Sequence, residues 1–343
     1  MQRELIHVPA ASRPILSVVI HTEEEFDWEG KFDRSATGVT HLRHMYRVQE
    51  VCDTYGLVPT YVVDYPVAAQ EAGYRPLREF AADGRALIGA HLHPWVSPPH
   101  TEEVCPRNSY PGNLPRGLEY EKLARLTESI AASFGRRPTV YLAGRYGFGP
   151  NTAAILEELG YEVDVSAFVP MDFTADHGPD YSSYTNHPYW FGNRRRLLGL
   201  CCTGAFVGWL PAAKRLAHRL VSHPRLRWAR LGGVLSRLRA LERIALTPEG
   251  FHPAELRRLS RSLLKQGFRV FVFCFHSPSV HPGFTPYVRD EQDLRAFLAT
   301  CHDYFAFFRK ELNGVAMTTL EIRDFLQQIS GRAASTGSGV AGS

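Results

Sequence analysis

A chain of 343 residues, 44% of them hydrophobic, is long enough to bury a sizeable core, as one large domain or two small ones. Basic residues number 39 and acidic residues 35, so the composition excludes a disordered protein and gives no reason to expect a nucleic acid partner. The six cysteines lack C-x-x-C spacing, which favours reduced thiols in the cytoplasm over a zinc ribbon. The N-terminal stretch does not resemble a signal peptide and no segment reaches about 18 apolar residues, so neither secretion nor a membrane span is predicted.

Short runs rich in Val, Ile and Tyr alternate with helical patterns along the chain. Strands are predicted near residues 15, 58, 86, 139, 162, 197 and 269, and helices over 40–55, 66–83, 118–134, 151–159, 253–266 and 291–312. The helices follow from apolar residues that recur about every three or four positions, and Asn151 and Gly160 are predicted to begin and end one of them. Strands that alternate with helices indicate a parallel sheet.

The most reactive side chains stand where predicted strands end. These positions are the stretch 21–27, the pair His91 and His93, Arg145, Asp164 and His276. The carboxyl ends of parallel strands share one face of a barrel or doubly wound sheet, and that face carries the active site. The sequence therefore favours the interpretation that these residues form the active site of a metal-assisted hydrolase over the interpretation that they are unrelated polar loop residues.

Two imidazoles and one carboxylate are a sufficient ligand set for a catalytic cation with one open position. Residues two apart in an extended segment point the same way, so His91 and His93 can share one metal ion. The third ligand is left open among Glu23, Glu24 and Asp27. A carboxylate of the same loop that is not a ligand could act as the general base.

Two further side chains are candidates for the chemistry on the opposite side of such a site. His276 follows the last long strand, and the pKa of histidine permits it to act as a general acid near neutral pH. Arg145 is predicted either to orient a carboxylate and stabilise negative charge or to form a salt bridge between loops.

Aromatic side chains accompany these polar residues. Trp95 and Trp190 stand in the loops HPW and HPYW, and Tyr146 follows Arg145. Aromatic rings stack on the faces of sugar rings while polar groups bind the hydroxyls. The predicted substrate-binding residues are therefore Trp95, Tyr146, Asp164 and Trp190, with packing in the core as the alternative for each ring.

Residues 205–248 interrupt the alternation of strands and helices. Arginines recur through this segment together with leucines and Trp228, and Glu242 is its only acid before Glu249. We expect a helical basic insertion within a single domain that covers residues 1–330. The insertion would meet anionic lipid, a glycan or a partner protein, or would simply present a solvated face. The final residues 331–343 are small and polar and are predicted to be a disordered tail.

Five stretches together resemble the motifs of a known family. HTEEEFDW, IGAHLHPW, AGRYGFGPNT, VDVSAFVPMDF and FHSPS followed by PG occur in the order and spacing found in the polysaccharide deacetylase family with the NodB-homology domain, a carbohydrate esterase 4-like group, and particularly in its WalW-like branch. The resemblance covers roughly residues 15–325 apart from the basic insertion. It implies an α/β fold, a deformed (β/α)7 barrel of the NodB or glycoside hydrolase-deacetylase type. It also implies a divalent cation, often zinc, that serves to hydrolyse an acetyl group on a glycan.

The resemblance also implies roles for individual residues. His91 and His93 match the metal-binding motif, the loop 21–27 matches the base-and-ligand motif, and His276 matches the general-acid motif.

The sequence departs from the family pattern at three positions. His21 stands where the family has the aspartate that serves as base. The second metal-binding histidine usually lies further along, whereas here Trp95 is in that region and His93 must be the partner. Leu142 replaces an arginine, which leaves Arg145 as the only nearby guanidinium.

These observations predict a cytoplasmic, metal-dependent hydrolase with zinc as the expected cation. Its substrate would be an N-acetylated sugar or glycan intermediate, free or lipid-linked, and peripheral membrane contact would run through residues 205–248. The alternatives are a metal-free hydrolase of a non-peptide C–N bond in a small amide and a catalytically silent glycan-binding protein. The sequence leaves the sugar, the acyl group and the oligomeric state open.

Overall fold

The structure is a computed structural model that describes residues 2–193, 197–208 and 242–337. Its strands are β1 (Glu4–Leu5), β2 (Ile15–Thr22), β3 (Thr60–Val63), β4 (Leu87–Leu92), β5 (Val140–Ala143), β6 (Val163–Phe168), β7 (Tyr189–Phe191), β8 (Leu197–Cys202), β9 (Gly204–Val207), β10 (Glu242–Ala245), β11 (Val270–His276) and β12 (Val315–Ala316). Its helices are α1 (Tyr46–Thr54), α2 (Tyr65–Ala69), α3 (Glu71–Ala82), α4 (Arg116–Phe134), α5 (Thr152–Leu159), α6 (Pro253–Lys265), α7 (Glu291–Ala306) and α8 (Thr319–Gly337). The seven strands and six helices predicted outside the basic insertion are therefore present, although the helix predicted over 66–83 is divided between α2 and α3.

A curved parallel sheet forms the centre of the molecule. In the described part of the chain its parallel strands follow the order β11-β2-β3-β4-β5-β6-β8, and β7 and β1 extend it with antiparallel pairing. The first and last strands of this order, β11 and β8, are joined through Thr203, which directly follows β8. Thr203 N donates to Val272 O on β11 (3.3 Å), and Val272 N donates to Thr203 Oγ1 (2.9 Å). The fold is a deformed (β/α)7 barrel, as the sequence predicted.

Alternation along the strands decides which side chains fill the barrel. Val19 on β2 and Val272 on β11 belong to a buried apolar cluster inside the barrel, and Ile322 of α8 packs on the same cluster. Side chains two residues apart on a strand share a face, so His21 and Cys274 lie in the same interior, at the carboxyl end of the strands.

The ends of the predicted basic insertion differ from the expectation. Residues 204–207 and 242–245 form a two-stranded antiparallel sheet, β9 with β10, so the described ends of 205–248 are strands rather than helices. The helical part of that prediction falls on 209–241, outside the described residues. Helix α8 continues to Gly337, past the predicted start of the tail at 331, and 338–343 lie outside the described residues.

A candidate membrane-spanning helix would have to be both long and apolar. None of the helices in the described ranges meets that requirement.

A buried lysine ties the loop after β4 to helix α4. Lys122 is 0% exposed, and its Nζ donates to the carbonyl oxygens of Pro94 (3.0 Å), Ser97 (2.6 Å) and Pro99 (2.7 Å). The carboxylate of Glu102 lies 3.1 Å from the same nitrogen. This one charge therefore organises the backbone directly after His93.

Replacing Lys122 with Met is expected to lower the free energy of unfolding by about 3–5 kcal/mol, because the buried Glu102 carboxylate loses the nearer of its two cations and three carbonyls lose a donor. Urea unfolding monitored by circular dichroism measures the change. The control is Arg125→Ala on the exposed face of the same helix, which breaks only an exposed pair with Glu121 and should change stability by less than about 0.5 kcal/mol. Equal stability of the Lys122 variant and the wild type would contradict the role given to this lysine.

Candidate active site

Three buried side chains converge at the carboxyl ends of β2 and β4. Glu23 Oε2 lies 3.4 Å from His91 Nε2 and 3.6 Å from His93 Nε2. All three residues are at most 2% exposed. The structure thus brings together the histidine pair and one of the three carboxylates that the sequence left open, and these atoms form a group that could hold a metal ion.

The outer nitrogen of each imidazole is held by a hydrogen bond. His91 Nδ1 donates to the carbonyl oxygen of Leu142 (2.9 Å), and His93 Nδ1 donates to Glu24 Oε2 (2.8 Å). Both Nε2 atoms are thereby left to face Glu23. His91 Nε2 and Glu23 Oε1 are buried without a hydrogen-bond partner among the described residues. Buried polar atoms are seldom left unpaired, and a divalent cation between them would satisfy both, so the residues present fit such an ion.

Glu24 lies behind this cluster, where it supports His93. Its Oε1 accepts from Trp95 Nε1 (2.8 Å), and its backbone N–H donates to Asp64 Oδ2 (2.6 Å). Burial raises the pKa of Glu24 to about 7, and burial together with the hydrogen bond and charge of Glu24 raises the pKa of Asp64 well above its usual value. These contacts make Glu24 a positioning residue for His93.

Asp27, the third carboxylate left open, lies on the exposed part of the loop. Its Oδ1 accepts from the backbone of Glu29 (2.9 Å), and its side chain lines the cavity. In the described ranges it does not join the groups of histidine and carboxylate atoms close enough to hold one ion.

His276 lies beside the cluster, with a ring nitrogen within 4.8 Å of a Glu23 carboxylate oxygen, and is fixed by Glu249. Its Nδ1 donates to Glu249 Oε2 (2.8 Å), and its backbone N–H donates to Glu249 Oε1 (3.1 Å). Burial alone would lower the pKa of His276, but the charges of Glu249 and Glu23 outweigh burial and raise it to about 9. His276 therefore carries a proton at neutral pH. Glu23, in turn, stays ionised, because His276 and the two neighbouring imidazoles outweigh the effect of burial and lower its pKa.

His21 lies between the two groups. Its ring centroid is 4.6 Å from that of His276 and 5.3 Å from that of His91. Burial, reinforced by the charge of His276, holds the pKa of His21 well below its usual value, so the imidazole is neutral. Its Nε2 is buried without a hydrogen-bond partner among the described residues.

The loop after β5 has unusual backbone geometry beside the cavity. Arg145 and Tyr146 both adopt left-handed conformations, with φ of 53° and 61°, which non-glycine residues avoid. The Arg145 guanidinium donates to Ser109 Oγ (2.6 Å), pairs with Asp176 and stacks over Tyr110 at 4.2 Å. The salt bridge between loops that the sequence allowed is therefore present, and Arg145 still lines the cavity.

The same loop approaches the histidine pair closely. Gly144 precedes Arg145, and a Cβ atom at this position would lie 2.2 Å from Leu92 O and 2.7 Å from His93 Cδ2. A glycine is needed here so that the loop can pass over His93.

A cavity of about 510 Å³ joins these groups. Its lining includes His21, Glu23, Phe26, Asp27, Trp28, His91, His93, Trp95, Arg145, Tyr146, Phe173, Cys202, Glu249, Cys274, His276 and Tyr287. Trp95 is stacked on His93 with centroids 4.2 Å apart, and Tyr146 is stacked on Phe173 at 5.6 Å. Two of the four predicted substrate-binding residues, Trp95 and Tyr146, are thus in the cavity.

The other two predicted substrate-binding residues lie elsewhere. Asp164 is 1% exposed, and its carboxylate accepts from the N–H and hydroxyl of Ser166. Trp190 packs in the apolar cluster inside the barrel, and its Nε1 donates to Ser330 Oγ (3.4 Å). Trp190 therefore packs in the core, which was the alternative considered for it.

The sequence analysis missed several residues that hold the site. Asp64 directly follows β3, so the rule that found the other strand-end residues could have found it. Glu249 gave no local signal, because it lies in a loop after the segment that interrupts the alternation. Ser277 Oγ accepts from the backbone N–H of Glu23 (3.2 Å) and contacts His41 Nε2 (2.8 Å). The other ring nitrogen of His41, Nδ1, donates to Glu25 (3.0 Å).

Replacing Glu24 with Gln is expected to weaken metal binding by about 10–100-fold. Glutamine offers a single acceptor oxygen, so His93 Nδ1 and Trp95 Nε1 could no longer both be satisfied, and the negative charge behind His93 would be lost. Competition with a chromophoric chelator measures the affinity. Glu29→Gln, on the exposed part of the same loop, is the matched control and should bind metal as the wild type does. Unchanged affinity in the Glu24 variant would show that His93 does not need this carboxylate.

No family model and no curated protein sequence matches this chain. Solved structures do match it. A protein from Mycobacterium smegmatis assigned as a polysaccharide deacetylase aligns over 95% of this chain and 95% of its own, with 14% identity and a TM-score of 0.56. The Puue allantoinase aligns over 90% of this chain and 89% of its own, with 15% identity and a TM-score of 0.51. At these identities the similarity establishes the fold, which is the one found in polysaccharide deacetylases.

Proposed function

We propose that this protein is a metal-dependent hydrolase of the polysaccharide deacetylase family, from its WalW-like branch, that removes an acetyl group from an N-acetylated sugar or glycan intermediate. The observation that supports this proposal most strongly is the placement of Glu23, His91 and His93 with their free atoms facing one another, beside a protonated His276. A ligand set with a proton donor next to it is what hydrolysis of an amide requires.

A divalent cation held by Glu23, His91 and His93, with zinc as the expected ion, would supply Lewis acidity toward an acyl carbonyl and lower the pKa of water. Glu23 is ionised and lines the cavity, so one of its carboxylate oxygens would hold the ion while the other would accept the proton of the attacking water. His276, oriented by Glu249, gives its Nε2 proton to the nitrogen of the departing amine. His21 is neutral and a weak base, so the proton transfers do not need it.

The cavity lining supports a sugar as the substrate. Its volume lies within the range of roughly 300–1,000 Å³ usual for small-molecule sites. Trp28 and Tyr287 pack edge to face at 5.8 Å, and Tyr146 and Phe173 are stacked nearby, so flat apolar surfaces stand close to polar groups. Sugar rings bind such surfaces through their C–H faces.

The basic residues of 205–248 would suit an anionic or lipid-linked form of such a substrate. This basic character favours a step in glycan synthesis close to the membrane surface.

A second candidate is hydrolysis of a C–N bond in a small amide. The similarity in fold to an allantoinase favours it, as does His21 at the position where the deacetylase motif has an aspartate. Such an enzyme would turn over small amides, whereas a deacetylase would turn over acetylated amino sugars.

The deciding experiment compares two substrate panels on the same enzyme preparation, before and after removal of metal by a chelator. Acetate release from N-acetylglucosamine oligomers that requires re-added zinc or cobalt would support the deacetylase. Turnover of cyclic or linear ureides that survives chelation would support the second candidate. Absence of turnover from both panels, with glycan binding by calorimetry, would overturn both in favour of a silent binding protein.

A further inference from the structure

Two thiols lie on the cavity floor, next to the neutral histidine that the proposed chemistry does not use. Cys202 ends β8 and Cys274 lies near the end of β11, and both side chains point into the barrel. They are 2% and 7% exposed and line the same cavity as His21. The barrel fold therefore places two sulfur atoms and one imidazole together, from positions far apart in sequence.

The three potential ligand atoms are mutually close. The two Sγ atoms are 3.1 Å apart, and a His21 ring nitrogen and both sulfurs all lie within 4.8 Å of one another. The hydrogen bonds of the thiols to their surroundings are long, from Cys202 Sγ to Val165 O at 3.5 Å and from Cys274 Sγ to Val272 O at 3.9 Å. His21 Nε2 is fully buried and has no partner in the described part of the chain.

We propose that Cys202, Cys274 and His21 form a second metal site, a thiolate-containing site for a zinc-like divalent cation, next to the site of Glu23, His91 and His93. Two thiolates and one imidazole match the donor types that zinc prefers, with one position left open toward the cavity. The inference stands independently of the proposed hydrolysis, because it shares no ligand with the first site.

The geometry favours a metal ion over a disulfide. Two sulfurs on a tetrahedral zinc ion lie about 3.8 Å apart, so the pair at 3.1 Å would need to open by about 0.7 Å, whereas a disulfide requires closure by about 1 Å to about 2.05 Å. A disulfide would also make no use of His21, whereas a metal ion would bind the ring nitrogen that lies within 4.8 Å of both sulfurs. Binding converts two thiols to thiolates and releases two protons to solvent, with no change in oxidation state.

The test uses the full-length protein, purified under reducing conditions, stripped of metal with a chelator and titrated with cobalt(II). Thiolate ligands produce a sulfur-to-cobalt charge-transfer absorption in the near ultraviolet that nitrogen and oxygen ligands do not produce. The variants are Cys202→Ser with Cys274→Ser, and His91→Ala for the first site. The matched control is Cys201→Ser, since Cys201 adjoins Cys202 on β8, faces away from the interior and donates to Thr185 O (3.3 Å).

We expect two cobalt equivalents and a charge-transfer band in the wild type and in Cys201→Ser. The double cysteine variant should keep one equivalent and lose the band, and His91→Ala should keep one equivalent together with the band. A single equivalent without a band, unchanged in the double variant, would overturn the second site and leave the proposed hydrolase standing. A single equivalent with a charge-transfer band that His91→Ala does not affect would support the second site. It would contradict metal binding at the site of Glu23, His91 and His93.

A protein that binds no cobalt while losing two thiols to mild oxidation would identify a redox pair instead of a metal site. Because serine could disturb the packing, thiol labelling of the wild type gives a second readout. Pre-bound cadmium should slow the reaction of two thiols at least tenfold, and equal rates with and without cadmium would contradict the proposal.

Discussion

Replacing His91 with Ala is expected to weaken metal binding at the Glu23 site by more than about 100-fold and to remove acetate release with it. Loss of an outer hydrogen bond to a ligand already costs about 10–100-fold, and this variant removes the ligand itself. His93 and Glu23 alone hold two of the three positions that a catalytic ion needs. Isothermal titration calorimetry with zinc and an acetate-release assay measure the two effects.

The fold should survive this change, which makes the result interpretable. His91 Nδ1 has a single hydrogen bond, to Leu142 O, and the neighbouring strands are held by their own ladders. The cost in stability should resemble that of one lost buried hydrogen bond and a small cavity, about 2–4 kcal/mol. His302→Ala, which removes an exposed histidine bonded to Tyr55 (2.6 Å), is the matched control and should retain both metal and turnover.

Full metal occupancy and wild-type turnover in His91→Ala would show that Glu23, His91 and His93 are not a metal site. Loss of metal with unchanged turnover would instead favour metal-free hydrolysis of a small amide.

The parts of the site that follow from strand periodicity were predictable from the sequence. His91 and His93 share a face because they are two residues apart on an extended chain, and strand ends share one rim in any parallel barrel. These two rules placed His21, Glu23 and His276 in the correct region. They could not decide among Glu23, Glu24 and Asp27, because that choice depends on how the loop turns after β2.

The residues that were missed act through contacts between distant elements. Glu249 precedes His276 by 27 positions, and their pairing depends on how the loop before α6 passes beside β11. Trp190 was placed in the site because it stands beside histidine and proline, yet its strand pairs with β1 and β8, which turns the ring into the core. Local chemistry alone could not distinguish these two cases, since each depends on strand order and register.

The proximity of Cys202 and Cys274 could not be predicted from the sequence either. The sequence analysis treated the scattered cysteines as unremarkable thiols, because spacing along the chain is the only signal that sequence offers. Closure of the barrel between β8 and β11 brings the two sulfurs together. Only the three-dimensional order of the strands reveals a possible ligand set with His21.

Replacing Glu249 with Gln is expected to move the alkaline limb of the kcat/KM profile to lower pH by about one to two units. His276 must be protonated to donate, so activity falls as the pH rises through its pKa, which the charges of Glu249 and Glu23 raise above the ordinary value. Glu249 and Glu23 are the two carboxylates that raise this pKa, and a cation bound at Glu23 would neutralise the second. The remaining shift would then depend on Glu249, and its removal lets burial lower the pKa toward the ordinary range of histidine.

The measurement is a pH profile of acetate release for the wild type, Glu249→Gln and His276→Gln, with Glu291→Gln at the exposed start of α7 as the matched control. His276→Gln should lose about 10²–10⁴-fold in kcat while keeping its metal, because it removes the acid and leaves the ligands in place. Glu249→Gln should retain substantial activity on the acidic side of the profile, where its His276 is still protonated, and the control should follow the wild type.

A Glu249 variant that loses activity equally at every pH would mean that Glu249 only maintains the structure, and a profile without an alkaline limb would remove His276 as the acid. A shifted limb with the metal content unchanged is the result that a proton donor tuned by Glu249 requires, and a purely structural role for Glu249 would not produce it.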